Sequence, residues 1–163
     1  MEKILMLFVW AYAASASSAF GQSTSFSLNP ETAEQIIVGC KVHSQSKNQS
    51  HAIAVHDTGG HLVAALRMRG NNAGTMAFAQ AKAKAVGIWG FSTAQMEKSV
   101  GDVAGFGNAP NVVTVAGGVP FYTVDGKTRL GAVGVSGEDP MDDVACAIAG
   151  IKSAGLTDQR NSN

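Results

Sequence analysis

Charge is scarce in this chain and evenly divided. Only 15% of its 163 residues are charged, 12 basic against 12 acidic. No basic block occurs, which argues against nucleic acid and anionic membrane surfaces as partners. A surface with so little charge favours self-association. Long apolar runs are missing too. The run at residues 4–14 is far short of the ~20 residues that span a bilayer. Cysteine is limited to Cys40 and Cys146, and neither sits in a motif that would make a reactive thiolate.

The apolar run has a different reading. Lys3 precedes it, small residues follow it, and Ala19-Phe20-Gly21 fits a cleavage site, so residues 1–21 are expected to be a secretory signal peptide. The mature chain is then periplasmic or secreted, with no membrane association after cleavage. Residues 22–157 fit one domain, and residues 158–163 are polar and expected to form a flexible tail. An oxidising compartment permits a disulfide. Cys40 falls on the stripe of a first helix with Ala33, Ile36 and Ile37, and Cys146 falls near Ala149 and Gly150 on a last helix. They form a bridge only if those helices pack together; otherwise both are buried thiols.

Periodicity predicts the elements. Asn29 and Pro30 start a helix over residues 30–43. Residues 51–56 and 62–68 alternate about Asp57-Thr58-Gly59-Gly60, which predicts a hairpin with His56 opposite His61. An alanine-rich helix covers 74–89, and Ser92 with Gln95 caps a third over 92–100. Three strands are expected at 112–115, 119–124 and 130–135. Pro140, preceded by Asp139, opens the last helix, with Asp142 and Asp143 in its first turn. The result is an α+β domain: a five-stranded antiparallel sheet flanked by helices, in the order α-β-β-α-α-β-β-β-α.

Glycine is abundant, at 19 residues, and concentrated late. Gly117-Gly118-Val119-Pro120, Asp125-Gly126 and Gly131-Ala132-Val133-Gly134-Val135-Ser136-Gly137 set glycine among β-branched residues. Glycine weakens a strand unless something approaches its backbone closely. Together with Ala52-Ile53-Ala54-Val55-His56-Asp57-Thr58-Gly59-Gly60-His61 and Ala81-Lys82-Ala83-Lys84-Ala85, continuing to Trp89-Gly90-Phe91-Ser92-Thr93, these segments resemble the GlcG/HbpS-like family. That family includes haem-binding extracellular proteins and the C-terminal domains of PduO-type cobalamin adenosyltransferases. The resemblance spans residues 33–156. It implies a helix-flanked antiparallel sheet, a homo-oligomer and haem as a cofactor.

Candidate site residues follow. Arg67, on a strand, presents a planar fork suited to a carboxylate, or else pairs with Asp57 or Asp143. Lys82, among alanines, is either a desolvated base or clamp or one residue of a solvated helix face. His56 and His61, if opposed across the hairpin, would stand close enough to share a metal ion, or one would be an axial haem ligand; otherwise they are hydrogen-bonded hairpin residues. Met68 is a weaker iron ligand. The backbones of Gly117, Gly118, Gly134 and Ser136 would line a ligand cleft, although Ser136 misses the nucleophile elbow by one position. Gly105-Phe106-Gly107 lacks the third glycine of a dinucleotide loop.

Two functions fit. One is an exported small-molecule-binding protein, with haem or a related tetrapyrrole as ligand, either binding it alone or also aiding its degradation. The alternative is a catabolic lyase, isomerase or tautomerase on a small carboxylic or aromatic compound. There Arg67 would fix the carboxylate while Asp57 or Lys82 moves a proton.

Overall fold

The computed structural model describes residues 27–161. The expected signal peptide lies outside the described residues. Helix α1 (Pro30–Ser46) begins where Asn29 accepts the Thr32 amide, and Pro30 occupies a position that needs no donor. The hairpin follows as β1 (Ala52–Asp57) and β2 (Leu62–Arg67). Helix α2 (Ala73–Trp89) is capped by Asn72 and stopped by Gly90 in the left-handed region. Ser92 caps α3 (Thr93–Asp102) by accepting the Gln95 amide. Strands β3 (Gly118–Tyr122) and β4 (Arg129–Ser136) precede α4 (Pro140–Ser153).

The sheet has four strands, in the order β2-β1-β4-β3, every pair antiparallel. The five-stranded expectation is therefore corrected: residues 112–115 form no strand. A β-branched run becomes a strand only with a ladder to join, and the outer edge of β3 is closed to them. The Val135 amide bonds Gly117 O, so the ladder alternation turns Gly118, Pro120 and Tyr122 outward. Thr93 Oγ1 takes the Gly118 amide, Pro120 has none to offer, and Tyr122 is bridged to Thr157. Val112 and Val113 instead pack against the cluster of Met96, Val86 and Ala132.

Alternation gives the sheet two unlike faces. Ile53, Val55, Val119, Phe121, Val133 and Val135 meet α1 and α4 through Ile36, Cys40, Cys146 and Ile151. Those two helices do pack together, and Cys40–Cys146 is a disulfide. The other face carries Ala52, Ala54, Ala132 and Gly134 beneath α2.

Candidate functional site

The glycines of that second face have a definite neighbour. A Cβ on Gly134 would lie 2.0 Å from Ala79 O and 2.4 Å from Ala83 N, and one on Gly118 would lie 2.9 Å from Lys82 O. Helix α2 thus rests its backbone directly on the strands. The close approach foreseen for these glycines is helix packing. Gly117, at φ +123°, leaves room for the Lys82 ammonium, which a Cβ would approach to 2.6 Å.

Lys82 is buried, with 1% of its side chain exposed, against 2% for Asp143. Its Nζ donates to Asp143 Oδ2 and Val135 O, both at 2.9 Å, and lies 4.8 Å from the Phe78 ring centre. Asp143 also accepts the Glu138 amide, while Asp139, at the N-cap of α4, makes no side-chain cap bond. Burial pushes the Asp143 carboxyl up, against the pull of Lys82. His51 Nε2 stands 3.6 Å from Asp143 Oδ1, and its Nδ1 is 2.8 Å from Ser44 Oγ. Ser44 also donates to Cys40 O. Burial holds His51 below the ordinary histidine value, with Asp143 and Glu138 opposing. This buried chain joins α1, α2, β4 and α4.

The hairpin tip differs from expectation. A bulge at Val55/His56 pairs His56 with Leu62, so His61 is displaced from it. His56 is buried, its Nδ1 donating to Gly60 O and its Nε2 without a partner. Burial lowers its pKa, the Gly60 bond opposing. His61 is exposed and pairs through Nδ1 with Asp57 Oδ2 at 3.2 Å. Desolvation raises Asp57, but the His61 and Gly59 amides and the His61 ring outweigh it and leave the carboxyl low. Among the described residues no three metal-ligating side chains cluster.

Arg67 is exposed on the edge strand β2 and donates through Nη1 to Asn71 O. Ser136 is buried at the end of β4, paired across the sheet with Ala52, which in turn pairs with Arg67. Met68 packs against the α1/α4 face. The structure therefore gathers Lys82, Gly117, Gly118 and Gly134 under α2, and leaves Arg67 and His61 at other edges.

A groove of about 490 Å³ opens along the outer edge of β3. Phe91, Val119, Pro120, Val144 and Ile148 give it apolar walls, and Ser92, Gln95, Asp158 and Arg160 line its polar side. It shares Gly90, Phe91, Tyr122 and Arg160 with a second recess of about 300 Å³ that adds Trp89, Lys127 and Arg129. Trp89 is fixed by its Nε1 bond to Pro110 O and its edge contact with Phe106. Arg129 Nη1 donates to Val86 O and Gly87 O, the last carbonyls of α2. Three cations thus border one aromatic wall. Trp89-Gly90-Phe91 carries part of the family resemblance but no expected site role. Arg160 fell in the expected tail, yet residues 157–161 run beside β3, with the Asn161 amide on Gly126 O. Flat aromatic surfaces followed by cations were the available signal.

Comparison with known proteins gives three findings. The family model described as "Haem degrading protein HbpS-like" matches residues 28–152. Protein GlcG of Escherichia coli (strain K12) is 36% identical over 114 residues, covering 69% of this chain and 84% of the relative. Two crystal structures share the fold. HbpS has a TM-score of 0.72 at 24% identity, covering 85% of this chain and 96% of that one. A PduOC–haem complex has a TM-score of 0.73 at 20% identity, covering 82% and 99%.

Proposed function

This chain belongs to the HbpS-like family, and from that premise we propose that it binds haem or a related tetrapyrrole in the groove beside β3. The observation that carries the reading is the pairing of apolar and cationic walls. A tetrapyrrole is a flat apolar ring with carboxylates at its rim. Phe91, Pro120, Val144 and Ile148 offer apolar surface, Arg160 borders the same groove, and Lys127 and Arg129 line the adjoining recess that shares Phe91, Tyr122 and Arg160 with it. Ligand sites of this kind are concave, mostly apolar and finished by a few charged groups. Arginine suits carboxylates by its planar fork. That PduOC, a protein of the same fold, has been crystallised with haem supports the choice of ligand. When bound, haem would supply an iron centre.

The site residues in this reading are Phe91, Gly118, Tyr122, Ile148 and Arg160. Lys82 is committed to Asp143, and Arg67 and His61 stand outside the groove. Export to the periplasm or beyond and assembly into a homo-oligomer belong to the same proposal, on the strength of the amino-terminal sequence and the small share of charged residues.

Titration of the purified protein with ferric haem tests it. Saturable binding with a shifted Soret band is expected. Arg160→Ala with Lys127→Ala should weaken it about tenfold, and Ile148→Trp should block it, while Arg67→Ala changes nothing. Absence of saturation, or full binding by Ile148→Trp, overturns the reading.

A further inference from the structure

We propose that the Tyr122 hydroxyl is the iron ligand of this groove, an inference that rests on the tetrapyrrole reading above. No histidine, methionine or cysteine lines either recess. Iron held there must therefore find an oxygen donor, and tyrosine is one of the side chains that hold haem iron. Of the side chains that hold haem iron, namely histidine, cysteine, methionine and tyrosine, Tyr122 is the one in the lining of both recesses. Its hydroxyl has no hydrogen-bond partner among the described residues and is not sealed from solvent. Tyr122 stands at the junction of the two recesses, where both linings include it.

Its position is fixed by the backbone. Tyr122 and Thr157 exchange amide bonds of 2.8 and 3.2 Å, and the residue is only 5% exposed. Arg160 borders both recesses with it. Tyr122 would release its proton to solvent as its oxygen takes the iron, with no change in electron count.

The experiment compares ferric haem with metal-free protoporphyrin, which has the same ring and carboxylates but no iron. Both should bind the wild-type protein. The ferric adduct should show phenolate ring modes by resonance Raman. Tyr122→Phe removes only the unpartnered hydroxyl and should fold normally. It should lose those modes and bind ferric haem about tenfold more weakly, with metal-free binding unchanged. If both rings bind and the phenolate modes are absent, or persist in Tyr122→Phe, the ligand assignment is overturned and the groove stands. An imidazole signature abolished by His56→Ala or His61→Ala overturns it likewise. If neither ring binds, the tetrapyrrole reading itself fails.

Discussion

The two faces of the sheet are held by different physics. Toward α1 and α4 lie valine, isoleucine and phenylalanine side chains, each worth about 1.5–3 kcal/mol when fully buried, and the Cys40–Cys146 bridge ties those helices together. Toward α2 lie alanine and glycine, with helix backbone on strand backbone and a lysine-aspartate pair sealed at the margin. The first face gains its stability from apolar area. The second has little area to gain and depends on fit and on satisfied polar groups. The same small chemical change should therefore cost more on the second face.

The sharpest test is the ion pair. Lys82→Met leaves Asp143 buried beside His51 with only the Glu138 amide, and breaking such a pair costs about 3–5 kcal/mol. Replacing both, Lys82→Met with Asp143→Leu, should cost less than either single change, because no charge is then stranded. Urea unfolding midpoints measure this. A double mutant as unstable as the sum of the singles would show that the pair is not the unit, and the contrast between the faces would lose its electrostatic half.

Next in size is a single methyl group. Gly134→Ala drives a Cβ into Ala79 O and Ala83 N, both backbone, so nothing flexible can yield; the upper end of overpacking costs, about 3 kcal/mol, is expected. On the opposite face, Ile53→Val removes one methylene from a large cluster and should cost about 1 kcal/mol. Equal losses in thermal unfolding would erase the distinction.

How far this contrast could be read in advance depends on what each feature requires. Helix starts at Asn29 and Ser92 were legible because a cap is a local hydrogen bond. The glycines of β4 were legible as sites of close approach, but not what approaches them: Ala79 lies 55 positions away, and a ligand and a helix leave the same trace in a strand. Asp143 looked like an acidic first-turn residue suited to the helix dipole, because its partner Lys82 is 61 residues distant. The bulge that separates His56 from His61 adds one residue to a ladder, an event period-two alternation does not encode. Residues 112–115 have strand propensity and lack only a partner, which no local pattern announces. The β3 groove is harder still, since three separate segments, around Phe91, Ile148 and Arg160, build it.

The gentlest probe of the comparison is acid. His51 lies in the buried relay, facing Asp143, Glu138, His43 and Asp142, and His56 lies near Asp57, Lys84 and His61. Both have folded pKa values below the ordinary 6.5. A depressed value means the unfolded chain takes the proton first. Each histidine's contribution to stability is therefore full above 6.5 and is lost as pH falls through the lower folded value. Asp143 acts in the opposite sense. Its raised folded value means the native state gains relative stability as the carboxyl protonates, a gain lost as pH rises through that value. The histidine window opens at pH 6.5 and extends downward, and within it stability should fall by at most about 1.4 kcal/mol per pH unit for each. His56→Asn keeps a donor for Gly60 O and removes the titration, so it should cut the slope by about half. Urea midpoints measured across that range decide the matter. A slope unchanged by His56→Asn and by His51→Asn would place the acid sensitivity outside the polar margin of the α2 face, and that face would then owe its stability to fit alone.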